Sequence, residues 1–264
     1  MTPRRRVGVL LLATLLALSI GCGKRARDRE LPGAEESWQR AQHLFERERY
    51  YQAQQLLRDF VLNYPGSIMI DSAQFYLGRA TFELEDYLVA AEEFKRVVTN
   101  YPFSKLAGDA AYWEARSYFV QAPGYQLDQT QTTQALEAFQ RFLEEYPAHS
   151  LQASAYDLIA QARDKLGHKE YAAARLYFDL GEYASVVLYA DAILANYYDT
   201  QWAAPAQFLK ARSFDALRDV ARARQSYQAY LDKYPQGDRA DAARRTLSTL
   251  PLPEARNSTT PPAP

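Results

Sequence analysis

The chain repeats itself. Asn63-Tyr64-Pro65, Asn100-Tyr101-Pro102, Glu145-Tyr146-Pro147, Asn196-Tyr197-Tyr198 and Lys233-Tyr234-Pro235 punctuate it, the first two and the last two 37 residues apart and the middle intervals 45 and 51. Ahead of each tripeptide, apolar residues come at offsets of four and three: Ala53, Leu57, Phe60; Ala90, Phe94, Val97; Ala135, Phe139, Phe142; Val186, Ala190, Ile193; Ala223, Tyr227, Tyr230. That spacing places each triple on one helical face. In four of the five units Pro then stops the helix, because it lacks an N–H and disfavours helical geometry in the residue before it. A single helical hairpin cannot bury both its faces, whereas five stacked units share one continuous core. No alternating strand pattern competes, so residues 36–250 read as all-α.

The second unit is the clearest. Leu77-Gly78, Ala80, Phe82, Tyr87, Ala90, Phe94 and Pro102 carry a spacing that resembles the tetratricopeptide repeat, two antiparallel helices with a small residue, here Gly78, at their close crossing. The expected architecture is a superhelix of five helix-turn-helix repeats of this type. Two irregularities interrupt it. Residues 120–134 insert a Pro-Gly turn and a polar stretch into the third repeat, and residues 150–180, with no Pro and one Gly, predict a long helix leading into the fourth. Residues 251–264 hold five Pro and read as a disordered tail.

Composition narrows the function. With 31 Lys and Arg against 32 Asp and Glu, the chain lacks the basic excess that displaces counterions from phosphates, which argues against nucleic-acid binding. One Cys cannot form an internal disulfide, and His43, His149 and His168 are scattered, so neither a metal nor a cofactor is expected. There is no G-x-S-x-G elbow, H-E-x-x-H pair, phosphate loop or dinucleotide fingerprint, and an enzyme is not expected.

The first residues form an address. Arg4-Arg5-Arg6 precede an uncharged apolar run, Val7 to Ile20. At 1.5 Å per residue, that run spans about 21 Å, short of the ~30 Å hydrocarbon core, and so suits an export signal better than a permanent span. The only Cys follows at position 22. Leu18-Ser19-Ile20-Gly21-Cys22 resembles a bacterial lipoprotein signal, which implies cleavage before Cys22 and acylation of its thiol. Gly23 in place of Asp then favours the outer membrane over the inner. The expected organisation is a signal over 1–21 and a tether over 22–35 from the lipidated Cys. The mature chain would have 28 basic against 32 acidic residues, leaving lipid rather than charge to hold it to the membrane.

In register, the first helices of the repeats place Trp38 and Phe45, Phe75 and Phe82, and Tyr112 and Phe119 at equivalent sites, each pair two helical turns apart; Tyr171 and Phe178 continue the series. Between the pair members lie Gln42, Arg79, Arg116 and Arg175, and the fifth repeat offers Phe208, Arg212 and Asp215. An aromatic floor interrupted by guanidinium groups suits an extended peptide ending in an aromatic residue and a free carboxylate, which Arg can hold by two parallel hydrogen bonds. Trp38 through Phe119 are the candidate peptide groove. Arg175, Phe208, Arg212 and Asp215 are the candidate partner-docking residues.

A more specific likeness lies in the third and fourth repeats. Tyr118, Leu127-Asp128-Gln129-Thr130 and Ala135 through Phe142, with Ala174 through Phe178, Val186-Val187 and Asp199-Thr200, resemble the BamD-type outer-membrane β-barrel assembly lipoproteins over about residues 36–248. The resemblance implies a lipid-anchored scaffold on the periplasmic face of the outer membrane. Its C-terminal repeats would dock the barrel-forming subunit beside companion lipoproteins, and its N-terminal repeats would engage unfolded β-barrel clients. Tyr198 stands where the other repeats have Pro, and Val220 replaces a Tyr. Another periplasmic scaffold, for cell-wall synthesis, division or polysaccharide export, is the alternative. Metabolic labelling with a fatty acid is expected to mark the wild-type protein and leave Cys22→Ala unmarked; an unmarked wild type would remove the anchor.

Overall fold

The computed structural model describes residues 33–251. The signal, Cys22, most of the tether and the tail from 252 lie outside the described residues. Among the described residues there are eleven helices and no strands: α1 Ala34–Glu46, α2 Tyr50–Asn63, α3 Ile70–Glu83, α4 Tyr87–Asn100, α5 Ala107–Gln121, α6 Thr130–Glu145, α7 Gln152–Asp179, α8 Tyr183–Asn196, α9 Ala203–Ala216, α10 Val220–Lys233 and α11 Ala240–Thr249. Each helix packs on its successor, giving five antiparallel hairpins of the tetratricopeptide type. α11 closes the end, with Ala240 and Ala243 against Tyr227 and Tyr230. Arg224 donates to the carbonyls of Leu247 and Leu250, at 3.0 and 2.8 Å, covering groups that the end of α11 leaves open.

The recurring apolar triples are the core: all fifteen residues are buried. Phe94 shows how they work. It lies against Phe75 of its own hairpin, at 5.7 Å between ring centroids, and against Trp113 of the next, at 6.2 Å. A Cβ on Gly78 would stand 2.8 Å from the Phe94 ring, so the missing side chain lets α3 and α4 close around it.

Two kinds of turn join the helices. Within hairpins, the turn places Glu48, Glu85, Gly181 and Arg218 in left-handed geometry, with φ of 58°, 63°, 80° and 60°. The next N–H reaches back to the preceding helix, Arg49 to the Leu44 carbonyl and Asp86 to that of Thr81. Only one of these positions is Gly; an L side chain there costs about 1–2 kcal/mol, which the packed hairpins on either side offset.

Between hairpins, the repeated Tyr caps each helix at φ between −125° and −130°. Its carbonyl accepts from the residue three positions on: Ser67, Ser104, His149, Thr200 or Gly237. In four of these turns a side chain closes the loop by accepting the N–H two residues later, Ser67 from Met69, Ser104 from Leu106, His149 from Leu151 and Thr200 from Trp202. Tyr197 takes the same backbone shape although Tyr198 follows it, so Pro is not what ends these helices. In that turn Asp199 instead meets Arg163 of α7 through three hydrogen bonds of 3.2, 2.9 and 2.6 Å, and the same guanidinium donates to the Asn196 carbonyl at 2.6 Å.

The long helix predicted over 150–180 is α7, 28 residues shared by two repeats. Its first half backs the third hairpin, where Leu158 and Ile159 pack beside Phe139 and Phe142 and the Tyr112 hydroxyl meets Ser154 at 2.8 Å. Its second half forms the fourth hairpin with α8, through Ala174 and Val186. The insertion is shorter than the sequence suggests, because residues 130–134 already belong to α6. Asp128 accepts the Thr130 N–H at 2.9 Å, and buried Gln129 donates to the carbonyls of Gly124 and Leu127 while accepting from Thr132. Lys165 and Lys169 of α7 hold the carbonyls of Ala122 and Leu127. The Asp-Gln-Thr motif is the staple of this loop.

The Arg163 hydrogen bonds hold the Asp199 carboxyl below the usual carboxylate range. A depressed folded pKa adds stability that is complete above the unfolded value of about 3.9 and is lost as pH falls through the folded one. Asp199→Asn is expected to cost about 0.5–1 kcal/mol at pH 7, the pair being partly exposed, with the difference vanishing in acid. Urea unfolding across a pH series measures it, and a difference independent of pH would contradict the pairing.

Candidate functional site

The first-helix aromatics divide into two sets. Trp38, Phe75 and Tyr112 are buried. They face the second helix of their own hairpins, Trp38 against Phe60, Phe75 against Phe94, and Tyr112 against Phe139 and Phe142, with centroids 5.7–6.2 Å apart. The expectation that they floor an open groove is therefore corrected: they are hairpin core. A 37-residue period marks core and groove positions alike, and only burial separates them.

The second set lies nearer the mouth. Phe45, Phe82 and Phe178 are half-buried, each edge-on to the Tyr five residues later: Tyr50, Tyr87 and Tyr183, at 5.4, 5.0 and 5.3 Å. These pairs latch the hairpin turns. The next repeat adds a ring to the first two, Tyr76 against Phe45 and Trp113 against Phe82, both at 5.0 Å. Gln42, Phe45, Tyr50 and Tyr76 thus line a cleft of about 300 Å³, rimmed by Glu46 and Glu48.

One repeat further on, Trp113 gathers the guanidiniums. Arg79 lies 4.0 Å and Arg116 5.0 Å from its ring centroid. Arg79 is committed to Glu83 at 3.2 Å, with its Nε buried and unpartnered. Arg116 has only the Tyr112 hydroxyl, at 3.4 Å, and no ion pair among the described residues. Phe119 lies apart from this group, 5.6 Å below the Lys165 ammonium, whose pKa burial pushes down.

The C-terminal candidates converge more fully. Phe208, Arg212 and Asp215 line a cleft of about 680 Å³ with Phe178, Arg218 and Arg239. Arg212 lies over the Phe178 ring at 4.4 Å, and none of the three Arg forms an ion pair among the described residues. Arg175 is outside this cleft, exposed on α7 and 3.8 Å from Asp179. Sequence reading passed over Tyr76, Trp113, Lys165, Arg218 and Arg239. Tyr76 and Trp113 were within reach, being themselves 37 residues apart and each next to a residue already chosen. The two Arg come from turns and needed the fold.

Five stacked helical hairpins with this core define a tetratricopeptide-type scaffold. The chain belongs to the family described as YfiO, outer membrane lipoprotein, whose model matches residues 33–228. Among solved structures, it is similar to the TPR2AB domain of yeast Sti1 in its complex with pHSP90, at 13% identity and a TM-score of 0.42, over 81% of this chain and 83% of that one. It is also similar to a thermophilic TPR protein of Thermus thermophilus, at 16% identity and a TM-score of 0.36, over 83% of this chain and all of that one. No curated protein matches the sequence.

Proposed function

We propose that this protein is a non-enzymatic scaffold of the machinery that assembles β-barrels into the outer membrane, held on the periplasmic face by acylated Cys22. Its C-terminal repeats dock an acidic segment of the barrel-forming subunit, and its N-terminal repeats hold client segments ending in an aromatic residue and a carboxylate. Family membership and the Asp-Gln-Thr staple support the setting. The observation that carries the reading is the distribution of guanidiniums that form no ion pair among the described residues: Arg116 beside Trp113 in the first half, and Arg212, Arg218 and Arg239 around one cleft in the second, where Asp215 is the one carboxylate in the lining. A guanidinium without a carboxylate beside an aromatic surface is preorganised for one brought by a partner.

The experiment is a detergent pull-down of the tagged full chain from membranes, paired with binding of a peptide ending in Phe. The barrel-forming subunit is expected to co-purify, and Arg212→Glu with Arg218→Glu to reduce its recovery at least tenfold. Arg116→Glu is expected to leave that recovery intact and weaken the peptide about tenfold or more, as loss of a charge-assisted hydrogen bond implies. C-terminal amidation of the peptide should act as the substitution does. Recovery of a cell-wall synthase in place of the barrel would contradict the proposal.

A further inference from the structure

The two ends of the first hairpins differ in chemistry. Because successive helices alternate in direction, the start of α1, the turn between α2 and α3 and the turn between α4 and α5 lie at one end. A contact bears this out for the two turns: the Ser104 hydroxyl donates to Asp71 at 2.6 Å, bringing them side by side. At their tips, Ile68 is 90% and Phe103 101% exposed. Between the capping Tyr and the next helix, these turns read Pro-Gly-Ser-Ile-Met and Pro-Phe-Ser-Lys-Leu, with Lys105 their one charge, and the carboxylates of this end, Glu35, Glu36, Asp71 and Asp109, sit behind the tips in the first turns of α1, α3 and α5. The turns at the opposite end read Arg47-Glu48-Arg49 and Leu84-Glu85-Asp86, where five of six residues are charged.

We infer that the rim carrying Ile68 and Phe103 rests on the membrane, with both side chains in the layer between headgroups and acyl chains of the leaflet that holds the lipid anchor. The inference rests on acylation of Cys22, as proposed above. Cys22 lies eleven residues before Gly33, a reach of at most about 40 Å, and the chain enters α1 at this same rim. The anchor therefore keeps this end within about 40 Å of the lipid, and its two exposed apolar tips, rather than the charged turns of the opposite end, are what can enter it. Lipid fits the tips better than protein does. Two isolated side chains on Pro-, Gly- and Ser-bearing turns offer no continuous apolar area of the roughly 1,000 Å² that a stable protein interface buries, whereas an interface of headgroups accepts single apolar side chains. The acyl chains hold the protein; the rim sets its attitude. The helices of the first two repeats stand on the membrane, and the stack runs along it.

The test uses the acylated full chain in vesicles of phosphatidylethanolamine and phosphatidylglycerol containing a lipid spin-labelled near the headgroup. An environment-sensitive fluorophore is attached through Lys105→Cys at the apolar rim or through Glu85→Cys at the charged one. Quenching at 105 is expected to exceed that at 85 at least threefold. Adding Ile68→Ser and Phe103→Ser should bring the two to the same level, with fatty-acid labelling of Cys22 unchanged. Equal quenching at both positions in an acylated protein overturns the rim inference and leaves the anchor standing, whereas absence of fatty-acid label overturns both. A fluorophore at 105 that stays unquenched in vesicles but is shielded in native membranes assigns the rim to a protein partner and overturns the lipid contact.

Discussion

A two-helix hairpin has more apolar surface than it can cover. Phe94 makes the constraint concrete: it is fully buried only because two hairpins enclose it, with Phe75 and Gly78 on one side and Trp113 of the following repeat on the other. Tyr112 stands likewise, facing Phe139 and Phe142 across its hairpin while its hydroxyl meets Ser154 of α7, the first helix of the following repeat. Each hairpin borrows its neighbour's surface, so stability belongs to the stack. The ends need closure: α11 supplies it at one end, and α7, reaching from the third hairpin into the fourth, bridges the place where the repeat spacing breaks.

The same sharing creates the candidate binding surface. First-helix residues that face inward become core, and those one step round the helix meet the next repeat at the groove. Tyr76 and Trp113 close the latches around Phe45 and Phe82, and Tyr76 also lines the cleft beside Gln42 while Trp113 carries Arg79 and Arg116 over its ring. Guanidiniums over aromatic rings are partly desolvated, which makes an incoming carboxylate worth more to them than it would be in water. The proposed sites lie at separated repeats of one stack, which is what binding two polypeptides at once requires.

Much of this was legible in the sequence. The five apolar triples, Gly78 at the crossing, and the long helix across 150–180 all follow from periodicity, because helix packing imposes its period on residue choice. The division between core and groove did not, since Trp38, Phe75 and Tyr112 recur in the same register as groove residues and differ only in which neighbour covers them. The turns were half legible. Pro stood out, yet the feature common to all five is the hydrogen bond to the Tyr carbonyl, made by Ser, His, Thr or Gly three residues on. The left-handed positions were hidden, because Glu48, Glu85 and Arg218 stand where Gly is the usual signal. Arg218 and Arg239 enter their cleft from turns whose placement depends on the whole fold.

The central claim is that the hairpins are stable only together, and native-state hydrogen exchange of the full chain carrying Phe94→Ala tests it most directly. Removing that ring takes contacts from α3, α4 and α5 at once. Protection is expected to fall by a similar factor across all three helices, α5 of the next repeat included. Loss of protection confined to α4, with α5 exchanging as in the wild type, would show hairpins that stand alone and would contradict the account.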